Sequence, residues 1–295
     1  MNESLHDLAQ GRVVGRARIA RLFVYPVKSC AGVEVQQAIL TEAGLEWDRA
    51  WMVVDEEGEF MSQRELPRMA LVKPAIRLSD VVLRAPGMLA LHLAMDAAEA
   101  PVKVRVWDDE VSAYDMGDVA AQWFTDFLGR KLRLVRFDPE FRRLSSMKWT
   151  GGVEAPNQFS DGYPVLVASE ASQALLNERL AAAGHAAVGI ERFRPNVVLG
   201  DVEAHDEDRL DELCVDTGQG QVRLKPVKPC ARCPIPNVDP AAGTSSPEVG
   251  DTLQGYRQDA RLNGAVTFGM NAIVLAGAEL VLRTGQPVTA NYAFD

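Results

Sequence analysis

The sequence has few cysteines and few histidines, only four of each among its 295 residues. A chain of this length with so little cysteine is typical of a cytoplasmic protein whose thiols stay reduced. The first 23 residues have no apolar core between their charges, so the sequence predicts no secretory signal. Disulfide-stapled and exported classes are therefore not expected.

Long apolar runs and an excess of positive charge are also absent. The most apolar stretch, 272–282, is too short to cross a bilayer and contains Glu279. Lys and Arg number 31 against 41 Asp and Glu, which gives a formal net charge of −10. Nucleic acid and anionic lipid both require a basic surface, so we expect neither nucleic acid nor membrane as a partner.

What the sequence does contain is a series of short apolar runs bounded by Gly, Pro or Asp. From Ala20 onward these runs are rich in Val, Ile, Leu or aromatic residues, a pattern that predicts strands. The residues DEEGEF at 55–60 predict a hairpin turn in which Gly58 supplies a positive φ angle. The pattern therefore predicts a strand-dominated α+β fold with few helices.

Two segments predict helices. The segment 118–129 has Asp118 as its N-cap and stops at Gly129. The segment 169–184 begins with Ser169 and carries apolar residues at helical spacing.

An irregular segment at 138–160 is the candidate boundary between two modules. We predict a loose N-terminal tail at 1–17, a first module at 18–145 and a second module at 146–295. No internal repeat or low-complexity tract interrupts this organisation.

The segment 225–243, KPVKPCARCPIPNVDPAAG, is the most informative part of the sequence. Its prolines predict that it is nearly all loop, with a strongly restricted backbone. Cys230 and Cys233 allow several interpretations there. A zinc site would need two further Cys or His ligands, and a thioredoxin-like couple would need a strand-to-helix turn. One thiolate could instead bind a soft metal whose other ligands come from a cofactor, or both thiols could simply be buried.

Polar and basic side chains in turn-like segments form a second signal. Arg suits bidentate phosphate binding, so Lys and Arg side chains at strand ends can build an anion site even in an acidic protein. Taken one at a time, each of these side chains is equally typical of a solvated surface charge. Ser160 and Asp161 are candidates for hydrogen bonds to a polar heterocycle, or simply turn residues. The residues of these basic segments are Lys28, Ser29, Arg49, Arg64, Arg194, Asn196 and Arg232.

Six segments together resemble one known family, the MOSC-domain proteins with an N-terminal MOSC β-barrel module. This group contains the mitochondrial amidoxime-reducing component and its bacterial relatives. The resemblance runs over nearly the whole chain from about Arg21 and implies a β-barrel-like first module followed by a β-barrel MOSC domain with a few helices. The segments are YPVKSCAG (25–32), DRAWMVVDEEGEFMSQRELPRMALV (48–72), FSDGYPVLVASEASQALLN (159–177), RFRPNVVL (192–199), KPCARCPIPNVDPAAG (228–243) and FGMNAIVL (268–275).

The resemblance implies a molybdenum–molybdopterin cofactor held in the cleft between the modules. It implies that Cys233, which directly follows Arg232, is the catalytic residue and the molybdenum ligand, and that Cys230 is not a ligand. Arg232 would favour the Cys233 thiolate and help to hold the anionic cofactor. The residues that match the family's cofactor contacts are Lys28, Ser29, Arg49, Ser160, Asp161, Arg194, Asn196, Ala231, Arg232 and Asn271.

The implied activity is reduction of N-hydroxylated compounds, namely amidoximes, hydroxylamines and N-hydroxy nucleobases. Because the chain ends at Asp295 without the ferredoxin module of some bacterial relatives, we expect a separate electron donor, an iron–sulfur or haem protein with a flavin reductase. Pyridoxal phosphate binding is associated with the family as a whole, and no residue of this chain is assigned to it. Departures from the family pattern at Gly162, Pro234, Pro236 and Asn237 bear on substrate preference.

Two other functions stay open from the sequence. The first is a MOSC protein that carries sulfur or molybdenum cofactor on Cys233 without multiple-turnover reduction. The second is a zinc-stabilised binding module with no redox role.

Overall fold

Residues 12–293 are described by the computed structural model, and strands dominate their regular structure. The predicted strand-dominated α+β fold is thereby confirmed. The strands are β1 (Arg12–Val24), β2 (Val33–Val35), β3 (Gln37–Thr41), β4 (Gly44–Leu45), β5 (Trp51–Val54), β6 (Lys73–Ile76), β7 (Asp80–Arg84), β8 (Leu91–Ala94), β9 (Pro101–Val106), β10 (Asp109–Asp115), β11 (Arg133–Phe137), β12 (Val165–Ser169), β13 (Val197–Gly200), β14 (Leu210–Asp216), β15 (Gln221–Ala231), β16 (Val238–Asp239), β17 (Thr244–Ser245), β18 (Gln258–Asp259), β19 (Ala265–Ala276), β20 (Val281–Arg283) and β21 (Pro287–Ala293). The α-helices are α1 (Gly117–Leu128), α2 (Met147–Thr150), α3 (Glu170–Ala182) and α4 (Glu248–Gln254), and the 3-10 segments are Pro67–Leu71, Ile190–Phe193, Asp206–Arg209, Ile235–Asn237 and Ala260–Leu262.

Seven strands close into a barrel in the order β12, β13, β1, β21, β14, β15 and β19, and β19 pairs back onto β12. Neighbouring strands run antiparallel except β12 and β13, which are parallel. Alternate side chains fill the interior, where Leu22, Val167, Leu199, Leu224 and Ala272 are buried. Closure pairs the edge strands of this sheet with each other, which gives the barrel a rigid wall.

The course of strand β1 differs from the predicted domain organisation in two respects. Residues 12–17, predicted to belong to a loose tail, form the start of β1 and pair with β21. Residues 1–11 of that tail lie outside the described residues. The remainder of β1 pairs with β13, so the first strand of the predicted first module is part of the barrel that the second half builds. The backbone hydrogen bonds to β21 outweigh the polar character of residues 12–17.

Strands β5 to β11 of the first half form sheets of their own, whereas β2 pairs with β1 and β3 pairs with β4 and β20. One sheet has the order β5, β11, β10 and β9, and β6, β7 and β8 form another. Trp51, Val53, Phe124, Phe127 and Leu134 are buried between the first sheet and helix α1. The predicted hairpin turn is present as well, because Gly58 has a φ of 80° and follows the end of β5.

Helix α1 matches the predicted segment at its end and differs at its start. Gly129 has a left-handed backbone and closes the helix, as predicted. The N-cap is Met116, two positions earlier than predicted, and the Asp115 carboxylate just before it accepts a hydrogen bond of 2.7 Å from the Gly117 amide. Asp118 therefore lies in the first turn and is not the N-cap. In the part of the chain that the structure covers, no helix is long and apolar enough to cross a membrane.

Helix α3 begins as predicted. The Ser169 hydroxyl accepts a hydrogen bond of 3.1 Å from the Ser172 amide, which satisfies one of the free N–H groups of the first turn.

The prolines of the segment 225–243 predict that it is nearly all loop, and this prediction is wrong for its first part. Strand β15 continues through Ala231 and pairs with β19. The register shifts between Pro226 and Lys228 and again between Pro229 and Ala231. Proline is tolerated in a strand at such irregularities because no amide hydrogen is needed there. The strand thus carries Cys230 at its end, and Cys233 lies just beyond it.

Candidate functional site

One cavity between the two halves of the chain collects the residues that the sequence predicts for a functional site. The cavity has a volume of about 110 Å³. All eleven predicted site residues line it, and their roles as cofactor contacts stay predictions. They are Lys28, Ser29, Arg49, Ser160, Asp161, Arg194, Asn196, Ala231, Arg232, Cys233 and Asn271.

The lining also includes residues for which the sequence carries no signal. They belong to turns and strands whose own patterns indicate only core or turn positions, so tertiary folding alone brings them to the cavity. These residues are Phe60, Ser62, Trp107, Leu166, Phe193 and Ile235. Arg64, Gly162, Tyr163 and Cys230, already noted in the sequence, line the cavity too.

Lys28 joins the two halves of the cavity wall. Its buried ammonium group donates hydrogen bonds of 2.5 Å to Asp161 Oδ1 and 2.8 Å to the Phe159 carbonyl oxygen. Burial lowers the pKa of Lys28, and Asp161 opposes that shift. The charges of Lys28 and Arg49 hold the pKa of Asp161 well below its usual range. Lys28 and Asp161 thus form an ion pair between the two halves of the chain.

Ser160 lies in a turn that a buried arginine holds in place. Arg143 Nη1 donates hydrogen bonds of 2.6 Å to the Ser160 carbonyl oxygen and 2.7 Å to the Gln158 carbonyl oxygen. The Ser160 hydroxyl donates to Asn157 Oδ1 at 3.0 Å. Ser160 therefore reaches the cavity with its hydroxyl hydrogen already used by the protein.

Arg49 is held by two buried partners. Its Nη1 atom pairs with Asp48 Oδ2 and lies 3.2 Å from Asn196 Oδ1. Asp48 in turn accepts a hydrogen bond of 2.8 Å from the Tyr25 amide, and Asn196 Nδ2 donates to the Phe23 carbonyl oxygen at 3.2 Å. Asn196 thus contacts the guanidinium group and the barrel backbone at once. This geometry makes Asn196 a residue that positions Arg49.

Arg194 is the cation with the least satisfied side chain in the cavity wall. Its Nη1 atom donates a hydrogen bond of 2.6 Å to the Cys30 carbonyl oxygen. Its Nη2 atom is buried and has no partner among residues 12–293. Burial, together with the nearby charge of Arg49, lowers the pKa of Arg194 to about 10. The group is still charged at neutral pH, so a buried N–H pair is left to bind a ligand.

Arg232 contacts Cys230, whereas the family resemblance implies that it acts on Cys233. Its Nη1 atom lies 2.9 Å from Cys230 Sγ, and its Nη2 atom donates to the Phe193 carbonyl oxygen at 3.0 Å. Its Nε atom is buried without a partner in the described part of the chain. Both cysteines are partly buried and line the cavity. The guanidinium group therefore fixes the loop through Cys230, and Cys233 Sγ stays available to a ligand.

The cavity also concentrates unusual backbone conformations. Nine non-glycine residues in the described chain have a positive φ, and four of these line the cavity, Ser29, Arg49, Trp107 and Arg194, with φ between 51° and 65°. This conformation is costly for residues with a Cβ atom and persists where the surrounding structure enforces it. Strain gathered around one cavity is typical of a functional site.

These residues fit the anionic cofactor that the family resemblance implies. Unpartnered, buried guanidinium N–H groups would be costly in a wall that never binds an anion. Phosphate matches the planar donors of Arg194 and Arg232, and a thiolate matches a soft metal. The donor set therefore suits a pterin phosphate and a single sulfur ligand.

A metal site made of protein ligands alone is not formed by the described residues. No group of three or more His, Cys, Asp or Glu side chains among them could hold a metal ion. Cys30 is buried, and burial raises the pKa of its thiol to about 12. The zinc interpretation thus lacks the additional ligands that it needs from this part of the chain.

A closed β-barrel, an attached β module and a cationic cavity with one available cysteine between them define a class of protein. Residues 16–131 match the MOSC N-terminal beta barrel domain family, and residues 154–289 match the MOSC domain family. The chain belongs to the MOSC-domain proteins that carry this N-terminal domain, which confirms the resemblance stated from the sequence.

The chain is similar to proteins named for amidoxime reduction. Mitochondrial amidoxime-reducing component 1 of Homo sapiens is 37% identical over 250 residues, which cover 81% of this chain and 72% of the human protein. Mitochondrial amidoxime reducing component 2 of Bos taurus is 36% identical over 249 residues with the same two coverages. Mitochondrial amidoxime-reducing component 1 of Danio rerio is 31% identical over 281 residues, covering 92% of this chain and 83% of the fish protein.

Proposed function

We propose that this protein is a molybdenum-cofactor-dependent reductase of N-hydroxylated compounds, that is, amidoximes, hydroxylamines and N-hydroxy nucleobases. One observation carries the proposal: buried, unpartnered guanidinium N–H groups of Arg194 and Arg232 line the same cavity as the available thiol of Cys233. The names of the similar proteins support the same class of reaction.

The chain's own residues would divide the work of holding the cofactor. Lys28 is paired with Asp161 and Arg49 with Asp48, whereas no ion pair of the described residues involves Arg194. Arg194 and Arg232 would therefore provide the main attraction for the pterin phosphate, and Cys233 the thiolate ligand. When bound, the cofactor supplies a two-electron redox centre.

The proposed reaction converts an N–OH group into N–H and releases water, which consumes two electrons and two protons. The electrons come from a separate donor, an iron–sulfur or haem protein with a flavin reductase. Tyr163 Oη is buried without a partner among the described residues, and burial raises its pKa, so it keeps its proton. Lys28 Nζ likewise holds protons at the wall of the cavity. Both groups can donate hydrogen bonds, which favours a substrate with an oxygen acceptor.

The experiment is turnover of benzamidoxime by protein purified from cells grown with molybdate, with a chemical reductant as the electron source. We expect multiple turnovers to benzamidine and loss of that activity in Cys233→Ser. No turnover at full molybdenum loading would exclude the reductase. Labile sulfane sulfur or transient cofactor without repeated turnover would instead support a carrier, and stoichiometric zinc without molybdenum would support a zinc-stabilised module.

We also propose a cytoplasmic location with neither nucleic acid nor membrane as a partner. The net charge of −10 supports the absence of both partners, because nucleic acid and anionic lipid select basic surfaces. Cell fractionation followed by immunoblotting tests it, and recovery with a membrane fraction after a high-salt wash would contradict it.

A further inference from the structure

Trp107 occupies a costly position at the tip of a hairpin. Val106 at the end of β9 pairs with Asp109 at the start of β10, so the loop contains only two residues. Trp107 is the first of them and has a φ of 57°. Gly, Asn and Asp favour such a position, because a Cβ atom is strained there. The side chain is also 47% exposed, so hydrophobic burial does not explain a tryptophan.

Neighbouring side chains hold the indole at the wall of the cavity. The Phe60 ring meets it edge to face, with 4.9 Å between ring centres and an angle of 66° between planes. The guanidinium carbon of Arg64 lies 4.6 Å from the indole centre, and Arg64 Nε donates a hydrogen bond of 3.1 Å to Ser62 Oγ. The cation covers part of the indole, and the exposed remainder lines the cavity. The indole is therefore oriented before any ligand binds.

The indole also lies beside the ion pair that joins the two halves of the cavity. Trp107 is close enough to Asp161, the partner of Lys28, to help hold the pKa of that carboxyl below its usual range. Asp161 is 66% exposed, whereas the unpartnered nitrogen of Arg194 is fully buried. Trp107 is thus at the open part of the cavity, and the unpartnered anion-binding groups are at its buried part.

We infer that Trp107 is a specificity-determining residue, an aromatic platform on which the substrate stacks. The inference rests on the proposed reductase function and narrows it to planar aromatic and heteroaromatic N-hydroxylated compounds. An aromatic ring that is already oriented gains stacking energy with any flat π system and none with a small aliphatic molecule. The strain at its backbone is retained because the position presents the indole at the mouth of the cavity.

The test compares three variants of the molybdenum-loaded protein. Trp107→Asn suits the positive φ and removes the ring, Trp107→Phe keeps a stacking surface, and Leu78→Asn alters a fully exposed residue outside the cavity. For each we measure kcat/KM with benzamidoxime and with hydroxylamine, using the same chemical reductant. The dissociation constant of benzamidine, the flat reaction product, which is not reduced further, is measured by calorimetry.

Trp107→Asn should lower the preference for benzamidoxime over hydroxylamine roughly tenfold and weaken benzamidine binding by a similar factor, as expected for the loss of one aromatic stacking partner. Trp107→Phe should retain most of the preference, and Leu78→Asn all of it. An unchanged preference in Trp107→Asn overturns the inference, as does a loss of molybdenum and pterin from that variant, which would put the indole against the cofactor. If the unsubstituted protein reduces neither compound, the proposed reductase function fails, while benzamidine binding still tests the platform.

Discussion

The guanidinium carbons of Arg49 and Arg194 lie 4.5 and 4.3 Å from the centre of the same aromatic ring, that of Tyr25. The two arginines are 145 positions apart in the chain, and Arg49 Nη2 donates a hydrogen bond of 3.1 Å to the Arg194 carbonyl oxygen. The electron-rich ring face attracts both cations and so offsets part of their mutual repulsion. A buried tyrosine ring therefore organises the anion-binding wall from behind.

Gly32→Ala should disturb this arrangement without touching either arginine directly. A Cβ atom at Gly32 would lie 2.4 Å from the Tyr25 ring, which is fully buried. We expect a loss of stability of about 1–3 kcal/mol, typical of overpacking, and a lower molybdenum content. Gly162→Ala is the matched control, since Gly162 lines the cavity but its Cβ would meet nothing within 4 Å. Full molybdenum content in Gly32→Ala would contradict the role given to Tyr25.

Asp48→Asn should be strongly destabilising. The carboxylate is buried, pairs with Arg49 and accepts a hydrogen bond from the Tyr25 amide. Removing its charge leaves a buried cation unbalanced, which we expect to cost about 3 kcal/mol in urea unfolding at pH 7. Asp118→Asn, whose side chain is 95% exposed beside Arg133, should change stability by less than about 1 kcal/mol. Equal losses of unfolding free energy in the two variants would show that burial of the Asp48–Arg49 pair does not determine how much it stabilises the fold.

Cys230, near the end of β15, and Cys233, just beyond it, should respond differently to substitution by serine. Arg232 holds Cys230 Sγ, and a serine hydroxyl can accept the same hydrogen bond, so Cys230→Ser should keep most of the benzamidoxime turnover. Cys233→Ser should lose turnover and molybdenum, because a hydroxyl is a poor ligand for a soft metal. Both thiols are only partly buried, so neither change should unfold the protein. The reverse pattern of activity would show that the ligand assignment is wrong.

Glu207 makes the stability of the fold depend on pH. Burial raises the pKa of Glu207 to about 7, against a usual value of 4.5, although the Ser169 and Ser172 hydroxyls donate hydrogen bonds to it. Between these two pH values the folded chain holds a proton that the unfolded chain has lost. This contribution to stability therefore falls by about 3 kcal/mol as pH rises from 4.5 to 7, and then stays level.

Glu207→Gln removes that titration. Between pH 5 and pH 8 the variant should therefore become more stable relative to the unsubstituted protein, as measured by the free energy of unfolding. Urea unfolding at the two pH values measures it, with Glu178→Gln on the solvent-exposed side of α3 as the control. Parallel pH profiles of Glu207→Gln and the unsubstituted protein would exclude this role for Glu207.

Local patterns predicted much of the fold because they depend on neighbouring residues. The α1 and α3 segments, with Gly129 as a stop and Ser169 as a cap, follow from helical spacing and backbone preference. Residues 12–17 and the prolines of β15 were predicted wrongly, since strands elsewhere in the chain satisfy their backbone groups. Local propensity does not include those partners.

The sequence by itself determined which side chains could do chemistry here: two cysteines three positions apart, cations at strand ends, and segments that resemble one family. Only the tertiary structure decided that these side chains share one cavity, that Arg232 contacts Cys230, and that Tyr25 lies against two arginines. The physical reason is the distance along the chain over which each kind of interaction acts. Spacing and propensity act over a few residues, whereas closing the barrel brings together groups that are more than a hundred positions apart.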